Sequence, residues 1–264
     1  MQNKIEETIN QAVQNMIKKT SNNSKTNKLI LKHNAKIHFI PQKYRVFGGL
    51  LQSMNIQFGN FIEELMALLI SEDRRYEIIK KYSGKKSNTF KISVSNERTI
   101  DNYITKCQTE DSDFLDINFI NLINNIIADN NKETISFKHD IDLLFKNKEN
   151  GVIYYLEIKY NDDHDTGKFV DINRKFIKTS AYLIDELNIT EFGQFKPILF
   201  FFNNKKMKGN IYVSENLNIY RGKRFFDEFL NVDYNDVEKY MSELSENHET
   251  IEVFNTLYNQ IMNM

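Results

Sequence analysis

The sequence predicts an α/β protein with a mixed central β-sheet flanked by helices. Apolar residues recur at helical spacing towards both ends of the chain, short apolar runs typical of strands lie between them, and a helical segment separates two of those runs. A crossover helix allows its two strands to lie parallel, whereas a short turn favours an antiparallel hairpin. With 264 residues, 41% of them hydrophobic, the chain can bury a sizeable core.

The first half of the chain is expected to be mainly helical. Apolar spacing predicts a first helix over residues 5–17 and a second over 56–71, which would be buried around most of its circumference. Between them, residues 28–41 alternate polar and apolar side chains and are interpreted as a short strand or an extended arm. A strand at 89–94 and a helix at 114–128 complete this half.

The second half holds most of the predicted sheet. Residues 135–145 and 152–160 are expected to form a hairpin, followed by a helix at 169–187. The apolar run from Pro197 to Phe202 is typical of a strand buried on both faces. Two further short strands and a helical end are predicted at residues 211–213, 217–220 and 225–264.

Composition excludes several classes of protein. The single cysteine, Cys107, excludes an internal disulfide framework and any zinc site built from several cysteines. The chain starts with a polar, helix-like stretch, and its apolar runs are too short to span a bilayer, so a cytoplasmic location is expected. The formal net charge is only -1, but residues 168–224 carry eleven basic against five acidic residues, which favours a local basic surface.

Charged residues at alternate positions of the predicted hairpin form the candidate site. A strand places alternate residues on one face, so Asp140 and Asp142 would share a face of the first strand, and Glu157 and Lys159 a face of the second. Mg²⁺ takes hard oxygen ligands and is commonly held by one or two carboxylates, while a lysine can orient water or stabilise a phosphate. Exposed hairpins also produce this pattern, so the pattern alone is weak.

Two further segments add candidate residues. Glu63 or Glu64 must lie near the apolar face of the helix at 56–71, where a carboxylate needs a cation or a hydrogen-bond partner. Residues 161–168 are almost all polar, and His164 within them is interpreted either as a phosphate- or metal-adjacent group or as purely structural.

Asp142 together with Glu157-Ile158-Lys159 resembles the PD-(D/E)XK nuclease signature, although Ile141 stands where proline is common. The neighbouring Asp140 is the alternative metal ligand, and Asp142 is favoured because it lies directly before the apolar run Leu143-Leu144-Phe145. The Gly-Asn-Phe-Ile-Glu string ending at Glu63 and the polar string from Lys159 to Phe169 are similar to type II restriction endonucleases of the TdeIII/MjaII type.

The resemblance implies a restriction-endonuclease-like fold and cleavage of double-stranded DNA at a short, palindromic site by a Mg²⁺-dependent homodimer, paired with a DNA methyltransferase. It implies Asp142, Glu157 and Glu63 as metal ligands and Lys159 as a further catalytic residue, with Asp140, His164 and Lys168 as additional candidates. The resemblance covers roughly residues 43–202. The order of predicted elements favours a single nuclease domain over residues 1–264, with mainly helical parts at 1–80 and 216–264 and the catalytic α/β core at 85–215. The candidate DNA-binding residues are Arg174, Lys175, Lys178, Lys205, Lys206, Arg221 and Arg224.

Two alternatives stay open at the level of sequence. One is a nuclease selective for branched or damaged DNA, and the other is a catalytically silent DNA-binding protein with the same fold. Cleavage of unmodified plasmid at discrete sites would favour the restriction enzyme over both.

Overall fold

The computed structural model describes residues 2–20, 23–109 and 115–263. Its helices are α1 Gln2–Thr20, α2 Asn23–Asn34, α3 Gln42–Glu72, α4 Val94–Thr109, α5 Leu115–Ile127, α6 Thr166–Glu186, α7 Gly222–Phe229, α8 Tyr234–Ser245 and α9 His248–Met262. Its strands are β1 Tyr76–Ile78, β2 Thr89–Ser93, β3 Thr134–Lys138, β4 Leu143–Asn147, β5 Ile153–Lys159, β6 Phe195–Phe201 and β7 Ile219–Arg221. None of the helices described is long and apolar enough to cross a membrane.

The chain divides into two compact units, one made of Met1–Leu65 and Val232–Met264, the other of Met66–Asn231. These bounds differ from the divisions expected near residues 80 and 216. The first unit is helical, and a small apolar core forms where residues of α3 pack with residues of α9. This core consists of Val46, Leu50, Met54, Leu257 and Ile261.

The second unit is built on a five-stranded sheet in the order β1-β4-β5-β6-β7. The pairs β1/β4 and β4/β5 are antiparallel, whereas β5/β6 and β6/β7 are parallel, so the sheet is mixed as the sequence predicts. The hairpin β4–β5 is present, and α6 is the crossover helix between the parallel strands β5 and β6. Strand β5 is therefore the centre of the sheet.

Alternation along β5 gives the sheet two different faces. Tyr155 stacks on Phe176 of α6, with ring centroids 5.3 Å apart, within the main apolar core. Tyr154 points to the other face, where it contacts Phe145 of β4 and Phe229 of α7. Ile153, Glu157 and Lys159 lie on the same face of β5 as Tyr155.

Several predicted elements differ from the structure. The segment interpreted as a strand or arm at 28–41 forms α2 and a loop, because Leu29 and Ile30 pack against the core that contains Val46 of α3. The predicted strand at 135–145 is two strands, since β3 pairs with β2 in a separate two-stranded sheet. No strand forms at 211–213 within the described chain.

Candidate active site

Glu157 is the centre of a buried polar cluster on β5. Its side chain is only 3% exposed. Its Oε1 accepts a hydrogen bond from Lys159 Nζ at 2.7 Å and lies 3.6 Å from His139 Nε2. Its Oε2 accepts a hydrogen bond from the Tyr155 hydroxyl at 2.7 Å. Both oxygens of this buried carboxylate are thus satisfied.

The surroundings keep Glu157 ionised. Burial by itself raises the pKa of this carboxyl, but the Lys159 charge and the interaction with His139 outweigh burial and lower the pKa to about 2. Burial also raises the pKa of Tyr155 well above its ordinary value, so its hydroxyl stays protonated and can donate. At neutral pH the cluster therefore presents a fixed carboxylate beside a lysine.

Asp142 joins this cluster from the residue before β4. Its Oδ2 accepts a hydrogen bond from the backbone N–H of Ile158 at 2.7 Å and lies 3.6 Å from Lys159 Nζ. Asp142 and Glu157 therefore face the same lysine, although they belong to different segments. This is the arrangement expected from the sequence for Asp142, Glu157 and Lys159.

Asp140 occupies a different place. The expectation that Asp140 and Asp142 share one strand face is wrong, because residues 139–142 form the connection between β3 and β4. Asp140 Oδ1 accepts hydrogen bonds from the backbone N–H groups of Lys86 and Asn88, at 3.2 and 3.0 Å. The structure thus uses Asp140 to hold the turn before β2, and brings Asp142 to Lys159.

The oxygen donors of the cluster fit a hard divalent cation. Two carboxylates converge on one positive charge, the Lys159 ammonium, and one or two carboxylates suffice for Mg²⁺ when water and phosphate complete its coordination. No group of three His, Cys, Asp or Glu side chains in residues 2–20, 23–109 and 115–263 is arranged to hold a metal. The fit therefore rests on Asp142 and Glu157.

The third predicted ligand, Glu63, lies on α3 in the first unit. Its side chain is partly exposed, whereas the adjacent Ile62 and the following Leu65 are fully buried. This matches the expected position of a carboxylate at the edge of an apolar helix face. Its role as a metal ligand stays a prediction.

Sequence reasoning missed three residues that surround Glu157. Tyr155 donates to it, and His139 Nδ1 lies 2.8 Å from Thr179 Oγ1 on α6, which also hydrogen-bonds to Tyr155. Period-two alternation could have identified Tyr155, which lies two residues before Glu157. His139 and Thr179 carry no sequence signal, because only the packing of α6 brings them together.

The polar segment after β5 is largely structural. Asp162 is 1% exposed and accepts hydrogen bonds from the backbone N–H groups of Met207 and Gly209. Asp165 caps α6 by accepting a hydrogen bond from the backbone N–H of Lys168. These bonds explain why the segment is more polar than a solvent-exposed turn requires.

His164 is half-buried, and its Nε2 has no hydrogen-bond partner in the described chain. Burial, followed by the charges of Lys168 and Lys159, lowers its pKa, so the ring is neutral at pH 7. The low pKa therefore reflects mainly the burial of the ring, to which the two lysines add. Roles for His164 and for the exposed Lys168 in the reaction stay predictions.

Two of the predicted DNA-binding arginines are engaged within the protein. Arg221 donates to Asp162 and Glu215, at 2.8 Å each, and its guanidinium lies over the Phe201 ring. Arg224 donates to three backbone carbonyls and lies over the Tyr220 ring. These contacts assign both arginines a role in fixing the segment before α7, and contact with DNA stays a prediction.

The remaining basic candidates differ in whether they form ion pairs with acidic side chains. Arg174 and Lys178 form ion pairs with Asp101 and Glu97, which tie α6 to α4. Lys205 is exposed and forms no ion pair with any residue that the structure describes. Of the other two, Lys175 pairs with Asp171 of its own helix, and Lys206 lies 3.6 Å from Glu215.

The chain matches known proteins over its whole length. Residues 1–245 match the family model described as "Type II restriction endonuclease, HinfI". The chain is also 60% identical to a protein of Haemophilus influenzae named "Type II restriction enzyme HinfI", over 264 residues that cover 100% of both sequences. No solved structure matches.

The comparisons confirm a type II restriction endonuclease as the resemblance implied, whereas the TdeIII/MjaII type is not confirmed. The mixed sheet with flanking helices agrees with the expected restriction-endonuclease-like fold. On the family model and on the identity over the full length, this chain belongs to the HinfI family of type II restriction endonucleases.

Proposed function

We propose that this protein hydrolyses phosphodiester bonds in double-stranded DNA at a short specific site, with Asp142, Glu157 and Lys159 as catalytic residues. The observation that carries the proposal is the convergence of two carboxylates on Lys159 at the centre of the sheet. Membership of a restriction endonuclease family supports DNA as the substrate. A palindromic site is proposed because two-fold DNA symmetry matches a two-fold protein.

In the proposed reaction, the oxygen of a water molecule attacks phosphorus, and this water gives up one proton. The bond from phosphorus to the leaving oxygen breaks, that oxygen takes a proton, and the products are a phosphomonoester and a hydroxyl group. Asp142 and Glu157 would hold Mg²⁺, with Glu63 as a further proposed ligand. When bound, this ion supplies positive charge at the phosphate and lowers the pKa of water.

The protein's own groups prepare the site before substrate arrives. The Lys159 charge and the His139 interaction keep Glu157 ionised, so it can accept a cation without first losing a proton. Lys159 places a point charge beside both carboxylates, where it can orient water or stabilise charge that develops on the phosphate. The Tyr155 hydrogen bond fixes the orientation of Glu157.

Three further features belong to the proposal. One catalytic cluster cuts one strand, so cutting both strands of a two-fold site favours a homodimer. A cognate methyltransferase is proposed in the same cell, because an enzyme that cuts unmodified DNA would otherwise cut the DNA of its own host. The cytoplasm, where bacterial DNA lies, is the proposed location.

The test is digestion of a sequenced plasmid with and without Mg²⁺, followed by run-off sequencing of the ends. We expect discrete Mg²⁺-dependent cuts that Glu157→Gln and Lys159→Ala each abolish. Glu149→Ala is the matched control, because Glu149 is exposed in the turn before β5. Circular dichroism confirms that each variant is folded.

Two results would contradict the proposal. Cleavage that survives both catalytic substitutions would remove the cluster from the reaction. Cleavage of branched or damaged DNA alone would favour the junction or repair nuclease instead.

A further inference from the structure

The loop between α2 and α3 exposes two large apolar side chains. Ile37 is 106% exposed and Phe39 is 93% exposed, more than any other large apolar residue in the described chain. The Phe39 ring stacks on that of His38, with centroids 5.0 Å apart. Adjacent apolar groups that face water commonly mark a binding surface.

The backbone of this loop is held in place. Arg45 Nη1 donates to the carbonyl oxygens of His33 and Lys36, at 3.0 and 3.3 Å. The backbone N–H of Ile40 donates to His38 Nδ1 at 3.0 Å. At Gly49, a Cβ would lie 3.1 Å from Leu29, so glycine allows α2 and α3 to pack closely. A loop held in this way loses little conformational freedom when it binds a partner.

The charge around the loop has one sign. No acidic residue occurs between positions 8 and 62. Lys28, Lys32 and Lys36 are exposed on or next to α2 and form no ion pair with any residue described by the structure. Burial and the charges of Arg45, Lys36 and Lys32 lower the pKa of His33, which agrees with a positive local field. Such a field attracts a polyanion.

We propose that the loop at residues 35–41 and the exposed face of α2 form a DNA-contact surface, in which Lys28, Lys32 and Lys36 bind phosphates and Ile37 and Phe39 contact bases. The inference rests on the proposed function, which makes duplex DNA the substrate. Proteins that contact DNA in this way combine phosphate-binding lysines with apolar side chains inserted at base steps. An isologous contact with a second copy is disfavoured, because it would bring two surfaces of the same charge together.

The surface is tested by fluorescence anisotropy with a labelled duplex that carries the site cut by the wild type, in EDTA and over a series of salt concentrations. We expect Phe39→Ala to raise Kd about tenfold, as the loss of one base-stacking contact would. We expect Lys32→Ala to lower the slope of log Kd against log salt concentration by about one, as the loss of one phosphate contact would. The controls are Ile117→Ala, an exposed apolar residue beside an acidic one, and Lys239→Ala, whose lysine pairs with Glu243.

Three outcomes would overturn the inference. The first is a Kd for Phe39→Ala equal to that of Ile117→Ala. The second is a change of oligomeric state by light scattering with unchanged DNA affinity, which would assign the loop to a protein interface. The third is a Phe39→Ala variant that loses binding to anionic phospholipid vesicles but keeps its DNA affinity, which would assign the loop to a membrane surface.

The two proposals fail separately. If the wild type cuts at discrete sites and Glu157→Gln does not, an unchanged Kd for Phe39→Ala overturns only the DNA-contact surface. If the wild type does not cut DNA, the proposed function is wrong, and the anisotropy series on a duplex of arbitrary sequence still tests the surface.

Discussion

Removing the Tyr155 hydroxyl should weaken metal binding without removing any of the proposed metal ligands. The hydroxyl donates to Glu157 Oε2 at 2.7 Å inside a site where Glu157 is almost completely buried. Tyr155→Phe keeps the ring that stacks on Phe176 but leaves one carboxylate oxygen without this donor. A hydrogen bond to a charged group contributes about 1.5–3 kcal/mol, so Tm should fall by roughly 3–12 °C.

The effect of Tyr155→Phe on metal affinity follows from the orientation of the Glu157 carboxylate, which the Tyr155 hydroxyl holds. Residues that hold a metal ligand typically change metal affinity or activity by about 10–100-fold when substituted. The Mg²⁺ concentration for half-maximal cleavage should therefore rise by about that factor, and calorimetric titration with Mn²⁺ should show the same loss without DNA. Tyr154→Phe is the matched control, since Tyr154 lies on the opposite face against Phe145. An equal Mg²⁺ requirement in the two variants would refute the reasoning.

Three other predictions follow from the same structure. In EDTA, Glu157 should contribute about 3 kcal/mol of stability above pH 4.5, because its pKa is lowered from 4.5 to about 2. Denaturant titration should show that this contribution is lost as the pH falls towards 2. The contribution should be absent in Glu157→Gln. Arg221→Gln should lower the free energy of unfolding by about 3–5 kcal/mol, because a buried ion pair is lost. Lys205→Ala should change the free energy of unfolding by less than about 0.5 kcal/mol, but it should lower the salt dependence of DNA binding. Asp142→Asn should abolish plasmid cleavage, whereas Asp140→Asn should keep it. Chemical denaturation of Asp140→Asn should show a free energy of unfolding about 1 kcal/mol lower than that of the wild type. Loss of cleavage in both variants would contradict the distinction between the two aspartates.

The central cluster could be predicted because its pattern is local. Glu157 and Lys159 are two residues apart on one strand, and strand periodicity alone places them on one face. Asp142 precedes the neighbouring strand of the same hairpin, so a short turn is enough to bring it near. The sequence favours Asp142 over Asp140, but it could not show that Asp140 bonds to the turn at residues 86–88.

Contacts between distant segments could not be predicted in this way. His139 and Thr179 meet only because α6 packs against the sheet. Arg221 stays a candidate DNA-binding residue, but its ion pair with Asp162 could not be predicted, because Asp162 lies in a loop far away along the chain. Residues 28–41 alternate polar and apolar side chains, and packing of Leu29 against α3 decides in favour of a helix.

The hydrogen bond from Ile158 N–H to Asp142 links activity to folding. One oxygen of Asp142, a proposed catalytic residue, accepts this bond where the pairing of β4 and β5 begins, with Leu143 opposite Leu156. A shift of this hairpin by one residue would move Glu157 and Lys159 to the other face of the sheet and break this bond. A chain whose central hairpin has not closed in register therefore lacks the proposed catalytic arrangement, and we expect the nuclease to become able to cut only as its sheet becomes native.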